Sequence, residues 1–302
     1  MGFVTAYMAV LLWNNTREFP SYLGASTRIF VFLTIMQNKQ TSSGVRAKKN
    51  LGQHFLKDPA IAERIVGFLG DSKAYTDILE IGPGMGILTD FLFEKKGYRT
   101  RIVDLDEESI TYLNNRFPLR QQDIIHADFL QMDFDQFFKG QFAIIGNFPY
   151  NISSQILFKV LDDRDRIPEV VGMFQKEVAM RIAGDPGSKE YGILSVFMQA
   201  YFDVNIVLQL NENDFQPPPK VKSTVLHFLR KDNFNLGCDE KEFRKTVKTA
   251  FNQRRKTLRN AMGTMVSKDV EIPFSGLRAE ALSWQKFVEL TNFIIEHRKS
   301  VS

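Results

Sequence analysis

Asn147, Pro149 and Tyr150 stand in the run Asn-Phe-Pro-Tyr, directly after the apolar stretch Phe-Ala-Ile-Ile-Gly. An amide, a backbone stiffened by proline and an aromatic face suit the handling of a nucleobase amine. The exocyclic amine of adenine is a poor nucleophile because its lone pair is delocalised into the ring. Acceptors for both of its N–H bonds favour a pyramidal nitrogen with the lone pair free. The side-chain oxygen of Asn147 can take one N–H, and the carbonyl of Pro149 or of Phe148 the other. Tyr150 offers a stacking face worth ~1–3 kcal/mol for an unstacked base. Proline fixes φ, so these acceptors stand ready before reaction, and orientation is the expected catalytic device.

A second group precedes it. Glu-Ile-Gly-Pro-Gly-Met-Gly (Glu80 to Gly86) sets Gly82, Gly84 and Gly86 at alternate positions after an apolar strand. Such glycines allow a sharp turn and close approach of a ligand to the backbone. The dinucleotide fingerprint is not met, because the third glycine comes one residue early. Glu80 disfavours phosphate and favours a cationic ligand. Asp104, ending the next strand, is placed to accept hydrogen bonds from ribose hydroxyls. Asp106 competes for that role, although capping the following helix suits it better. Asp128, after the third strand, can accept from an adenine amine, with Phe129 against the ring. Three acids at three successive strand ends beside a glycine turn describe a pocket for a positively charged adenosine. S-adenosyl-L-methionine fits that description.

The elements that must position these groups alternate as strand and helix from "DILEIG" to "KEVAMRIA", which predicts a mostly parallel sheet with helices on both faces. "DPAIAERIVGFLG" predicts a helix with Asp58 as N-cap, Pro59 at its first position and Gly70 as its stop. "YFDVNIVLQL" and "STVLHFLR" predict an antiparallel hairpin on the sheet edge. From about Asp232 the pattern becomes helical and polar, predicting a small all-helical second domain. The expected division is residues 1–35 as an upstream extension, 36–231 as the nucleotide-binding domain and 232–302 as the helical domain.

The 302 residues carry 39 Lys+Arg against 35 Asp+Glu, so the distribution of charge matters more than its sum. One cysteine, Cys238, excludes an internal disulfide framework, and the four histidines form no metal motif; a reducing cytoplasm is expected. The apolar runs before Met36 are too short to span a bilayer and lack a basic leader, so Met36 is the expected start. A membrane-associating extension is the competing reading. Positive charge concentrates between Lys241 and Arg259, where eight Lys and Arg face Glu242 alone. Phe243, Val247, Phe251 and Leu258 recur at helical spacing, so one face is expected buried and the other basic. Lys245, Lys248, Arg254, Arg255, Lys256 and Arg259 are the candidate RNA contacts. The loop "AGDPGSKEYG" is expected to be mobile and to order on RNA.

"EIGPGMGILT", "HAD" and "NFPYNISS", together with "KKNLGQHFLKD", "FQKEVAMRIAGDPGSKEYGILSV", "FQPPPKVKSTVL" and "FNQRRKTLRNAM", resemble the ribosomal RNA dimethyladenosine transferases, most closely the bacterial small-subunit type. The resemblance covers roughly Arg46 to His297. It implies a class I S-adenosylmethionine-dependent methyltransferase fold, Rossmann-like, with an α-helical C-terminal domain. The implied reaction is dimethylation at N6 of two adjacent adenosines in a hairpin near the 3′ end of small-subunit rRNA. The implied partners are that RNA and the immature 30S subunit, with neither membrane nor metal, for a cytoplasmic monomer. Carried onto this chain, the cofactor residues are His54, Leu56, Gly82, Gly84, Asp104, Asp128 and Asn147. The chain departs from the usual pattern with His54 for Asn, Asp104 for Glu and Phe148 for Leu or Ile. The shorter Asp104 is expected to reach ribose less easily. The larger Phe148 is expected to thicken the pocket wall and hinder a second methylation. An Erm-type large-subunit enzyme and a mainly non-catalytic assembly factor are the alternatives.

Overall fold

A computed structural model describes residues 45–48, 51–70, 74–267 and 269–298. The expected boundary at Met36 lies outside them. The chain divides into residues 1–46 and a compact unit spanning Ala47–Ser302, and the architecture below is that of the second unit.

Its centre is a seven-stranded sheet. The strands are β2 (Asp77–Ile81), β3 (Arg99–Asp104), β4 (Ile124–His126), β5 (Phe142–Asn147), β6 (Glu169–Gln175), β7 (Phe202–Leu210) and β9 (Ser223–Arg230), in spatial order β4-β3-β2-β5-β6-β9-β7. The first five are parallel, and β9 is antiparallel to both β6 and β7. The predicted antiparallel pair is present, with β9 inside the sheet and β7 at its edge. A further short pair, β1 (Phe55–Leu56) and β8 (Phe215–Gln216), joins the segment after Gln53 to the proline-rich segment before β9.

The strands carry apolar side chains on both faces, as a sheet covered on both sides requires. Ile78, Ala143, Ile145 and Val171 pack toward α1 (Pro59–Val66) and α2 (Ile87–Glu94). Leu79, Ile81, Ile144 and Val170 pack toward α4 (Ser153–Asp162), α5 (Lys176–Ala183) and α6 (Ile193–Tyr201). Between β3 and β4 runs α3 (Glu107–Arg116). The helix after Asp58 starts as predicted, with the Asp58 carboxylate accepting from Ala60 N at 2.8 Å. It stops at Val66 rather than Gly70, because the next N–H groups, of Phe68 and Leu69, turn to Ile65 O and Val66 O at 3.2 Å, i→i−3 bonds that close a turn instead of extending the helix.

The sequence pattern predicted no helix at α6. Ile193–Tyr201 is apolar on nearly every side and enclosed in the core, so it lacks the one-sided periodicity of a surface helix. Against α6 lie α7 (Glu240–Asn252) and α9 (Trp284–Glu296), with the Phe197 and Phe243 ring centroids 6.1 Å apart. The predicted single basic helix is interrupted. It ends at Asn252, Gln253–Lys256 form a tight turn, and α8 (Leu258–Ala261) begins the next segment. Among the described residues, no helix is long and apolar enough to cross a membrane.

Candidate active site

The strand order reverses between β2 and β5, and a cleft opens at their carboxyl ends, where open α/β sheets bind ligands. Gly82 and Gly84 form its floor with φ of +66° and +56°. A Cβ on Gly84 would stand 2.6 Å from the Phe55 ring, so glycine is required there for space as well as for conformation. The walls come from Leu51 to Phe55, the ends of β3 and β5, and the turn holding Asp128.

The sequence-predicted groups His54, Gly82, Gly84, Asp104, Asp128, Asn147 and Pro149 all line this cleft. Asp104 is buried, with Oδ1 accepting from Asp106 N at 2.9 Å and Oδ2 from Gly84 N at 3.4 Å. Burial pushes its pKa upward, opposed by those backbone donors. A carboxylate has about four acceptor directions, so lone pairs remain for a diol. Asp128 accepts from Leu130 N at 2.9 Å through one oxygen, capping a short turn. Phe129 lines the cleft and is buried beside Phe134, their ring centroids 5.7 Å apart.

Asp106 is the N-cap of α3, the role that suited it better in the sequence, accepting from Glu108 N at 3.2 Å. It also binds Lys48 Nζ and accepts from Gln53 Nε2 at 3.1 Å, so it ties the segment carrying His54 to the rim. Burial alone would raise its pKa, but the donors from Lys48, Gln53 and Glu108 outweigh burial and hold the carboxyl below its usual range.

Leu56 stands apart. It is buried, packs in the core beneath α1 and lines a neighbouring cleft with Glu80, Met85 and Tyr112. Phe55 touches both clefts and lies against Gly84, a role the sequence did not indicate.

Phe148 does not thicken the pocket wall. Its side chain is fully buried, edge-on to Phe174 at 5.3 Å, over the paired glycines Gly146 and Gly172. A Cβ on Gly172 would be 2.5 Å from that ring. Two glycines side by side create the space that a larger Phe148 fills.

Glu80 is not the charged partner for a cationic ligand that the sequence suggested. It is 1% exposed, and its Oε2 accepts from Thr89 Oγ1 at 2.6 Å. Burial pushes its pKa up to about 8, opposed by the Thr89 hydrogen bond and reinforced by the Asp104 charge. The ligand-free protein therefore holds a proton that the unfolded chain releases near pH 4.5. Because the folded state binds more protons through this interval, stability falls as pH rises from about 4.5 to 8. Glu80→Gln should remove this part of the slope. Chemical denaturation at pH 5 and pH 8 should show wild type losing up to a few kcal/mol more than the variant. Parallel profiles would refute the assignment.

The second group gathers at the end of β5. Asn147 Nδ2 donates to His54 O at 2.7 Å, leaving Oδ1 as the acceptor of that amide. Pro149 O receives Ile152 N–H at 3.1 Å and keeps one lone pair. Tyr150 stands beside the cleft. Its ring stacks on His54 with centroids 5.5 Å apart, and its hydroxyl is 2.5 Å from Ser223 Oγ. Burial raises its pKa against that hydrogen bond.

Lys245, Lys248, Arg254, Arg255, Lys256 and Arg259 are all exposed. Arg254 is already engaged by Glu280 at 2.6 Å and Lys189 O at 2.7 Å. The other five make no salt bridge among the described residues. The loop expected to be mobile is tied down, since Gly187 N also donates to Glu280 O at 2.7 Å and Tyr191 is buried near Phe251.

Open glycine backbone and the acceptors Asp104, Asp128 and Asn147 around one cleft suit the nucleoside part of S-adenosylmethionine, while Glu80, protonated and lining the neighbouring cleft, supplies no charge for its cation. Among the described residues, no cluster of His, Cys, Asp or Glu could hold a metal.

The family model for ribosomal RNA adenine dimethylase matches residues 44–296. Ribosomal RNA small subunit methyltransferase A of Cytophaga hutchinsonii is 53% identical over 252 residues, 83% of this chain and 98% of that protein. The same-named protein of Parabacteroides distasonis is 55% identical over 256 residues, 84% and 96% of the two chains. A dimethyladenosine transferase from Plasmodium falciparum shares the fold, with TM-score 0.68 at 24% identity over 80% of this chain and 98% of that one. The 23S rRNA methyltransferase ErmE shares it at TM-score 0.59 and 21% identity, over 79% and 99%. This chain belongs to the ribosomal RNA adenine dimethylase family, whose methyl donor is S-adenosyl-L-methionine.

Proposed function

We propose that this protein dimethylates N6 of two adjacent adenosines near the 3′ end of small-subunit rRNA, as a cytoplasmic monomer acting on the immature 30S subunit. The small subunit is preferred over an Erm-type substrate because relatives above 50% identity, nearly full length, are named for it. The observation that carries the chemistry is the committed amide of Asn147. With Nδ2 held by His54 O, Oδ1 is the group left to accept from the target amine.

S-adenosylmethionine supplies an activated methyl group whose departure leaves a neutral thioether. Gly82, Gly84, Asp104 and Asp128 would hold its adenosine part, and His54 closes the wall. Asn147 Oδ1 and the free lone pair of Pro149 O, or Phe148 O, accept the two amine hydrogens and turn the nitrogen lone pair toward the donor. Neither side chain of Asn147 and Pro149 titrates, so the pair orients the amine rather than deprotonating it beforehand. Tyr150, covered by His54 on one face, offers the other to the extruded base. Lys245, Lys248, Arg255, Lys256 and Arg259 supply sequence-independent phosphate attraction, and Arg254 braces the 184–192 loop. We assign residues 36–231 to methyl transfer and 232–302 to RNA binding.

Primer extension on small-subunit rRNA tests this reading, because N6,N6-dimethyladenine blocks reverse transcriptase. Immature small subunits with unmodified rRNA, treated with the purified protein and S-adenosylmethionine, should gain a stop at adjacent adenosines near the 3′ end. Methylation only of large-subunit rRNA would overturn the substrate, and methylation of neither would overturn the function.

A further inference from the structure

Residues 217–222, Pro-Pro-Pro-Lys-Val-Lys, join β8 to β9, and contacts at each end of this segment reach the aromatic platform. At its start, Pro217 O lies 2.9 Å from Nδ1 of His54, whose ring covers Tyr150. At its end, Ser223 Oγ holds the Tyr150 hydroxyl. Three prolines restrict the backbone, and Pro219 is buried. The crest is therefore set in a fixed relation to the place proposed for the target base.

That crest exposes Lys220, Val221 and Lys222, with Val221 at 41%. Lys222 O accepts Lys176 N–H at 2.8 Å, which brings a third lysine beside it at the start of α5. None of these lysines makes a salt bridge among the described residues. The neighbouring Glu177 is paired with Arg181 at 2.5 Å, so the nearest acid on α5 is already compensated.

An adenosine that leaves its stack to reach Tyr150 carries its 5′ and 3′ phosphates to the rim of the platform. Three ammonium groups without a salt-bridge partner, on a restrained backbone, match that need, because lysine binds phosphate as a point charge. We propose that Lys176, Lys220 and Lys222 form a ledge that grips the phosphates flanking the target adenosine, separately from the basic C-terminal surface. The proposal rests on the RNA-methylating function above. It assigns the β8–β9 segment two tasks, fixing Tyr150 and holding the strand that presents the base.

The test is the full-length triple variant Lys176→Gln, Lys220→Gln, Lys222→Gln, with the matching lysine-to-arginine variant as charge-preserving partner. RNA binding is measured against salt with immature small subunits carrying unmodified rRNA. Each lost phosphate contact should flatten the plot of log Kd against log salt by about 0.7–0.9, so for the two flanking phosphates wild type should lose roughly 7–12-fold more affinity than the glutamine variant between roughly 50 and 200 mM salt. KM for RNA should rise, while S-adenosylmethionine affinity by calorimetry and Tm stay at wild-type values. The arginine variant should keep the wild-type slope. A glutamine variant with wild-type slope and KM overturns the ledge alone. A fall in Tm or in S-adenosylmethionine affinity overturns it in favour of a structural role. A wild-type protein that neither binds nor methylates the RNA overturns both the ledge and the function beneath it.

Discussion

Asn147→Ala should lower kcat for RNA methylation by about 10²–10³, the usual consequence of losing one preorganised hydrogen-bonding group at a reacting centre. The side chain sits half-buried at the end of β5, so the fold should survive its truncation. RNA binding should also survive, because the exposed cations of 245–259 are untouched. Two contributions disappear together. The Oδ1 acceptor is removed, and His54 O loses the donor that ties the cleft wall to β5. Asn147→Asp separates them. A carboxylate still accepts but cannot donate to His54 O, so it should fail to restore the wild-type rate. Single-turnover kinetics with saturating methyl donor and RNA make the comparison. A kcat for the alanine variant within about threefold of wild type would remove Asn147 from the reaction.

Gly146→Ala should destabilise the protein severely although it adds a single methyl group. A Cβ on Gly146 would lie 2.3 Å from Ile81 O, a backbone atom of the neighbouring strand, and 3.1 Å from the Phe148 ring. The Ile81 carbonyl belongs to the strand end just before the cleft-forming Gly82 and cannot retreat as a flexible side chain could. Overpacking of this kind costs about 3 kcal/mol, and a domain of this size should lose roughly 6–12 °C in Tm. Any relief must move the end of β5, so methylation should fall with stability, through displacement of Asn147. Gly140→Ala provides the control, since its Cβ would meet nothing within 4 Å. Equal melting temperatures for the two variants would show that the strand ends can separate freely.

Gly146 also shows why the site was only partly legible in the chain. Its place in an apolar run ending in Asn-Phe-Pro-Tyr marked a strand that delivers chemistry. Nothing nearby in sequence showed that a carbonyl of another strand fills the space above it. Phe148 is the clearer case. Next to Asn147 it looked like pocket wall, yet its direction is set by the Gly146–Gly172 pairing across two strands, which sends the ring into the core. Leu56 follows the same logic, for alternation along β1 turns Phe55 toward Gly84 and Leu56 toward the core. Asp106 was legible as a helix cap, but its hold on Lys48 and Gln53 links residues more than 50 positions apart.

By itself the sequence determined the strand–helix order, the glycine turn, the acids at successive strand ends and the amide–proline corner. These depend on local preferences: apolar runs that must be buried, caps that satisfy helix ends, and glycine or proline that fixes particular backbone angles. Only the tertiary structure decided the enclosed state of Glu80, the burial of Phe148, the break in the basic helix and the joining of His54, Tyr150, Pro217 and Ser223. Those outcomes depend on which atoms crowd together once distant segments pair, and close packing, solvent exclusion and hydrogen-bond reach are properties of that proximity rather than of any local stretch of chain.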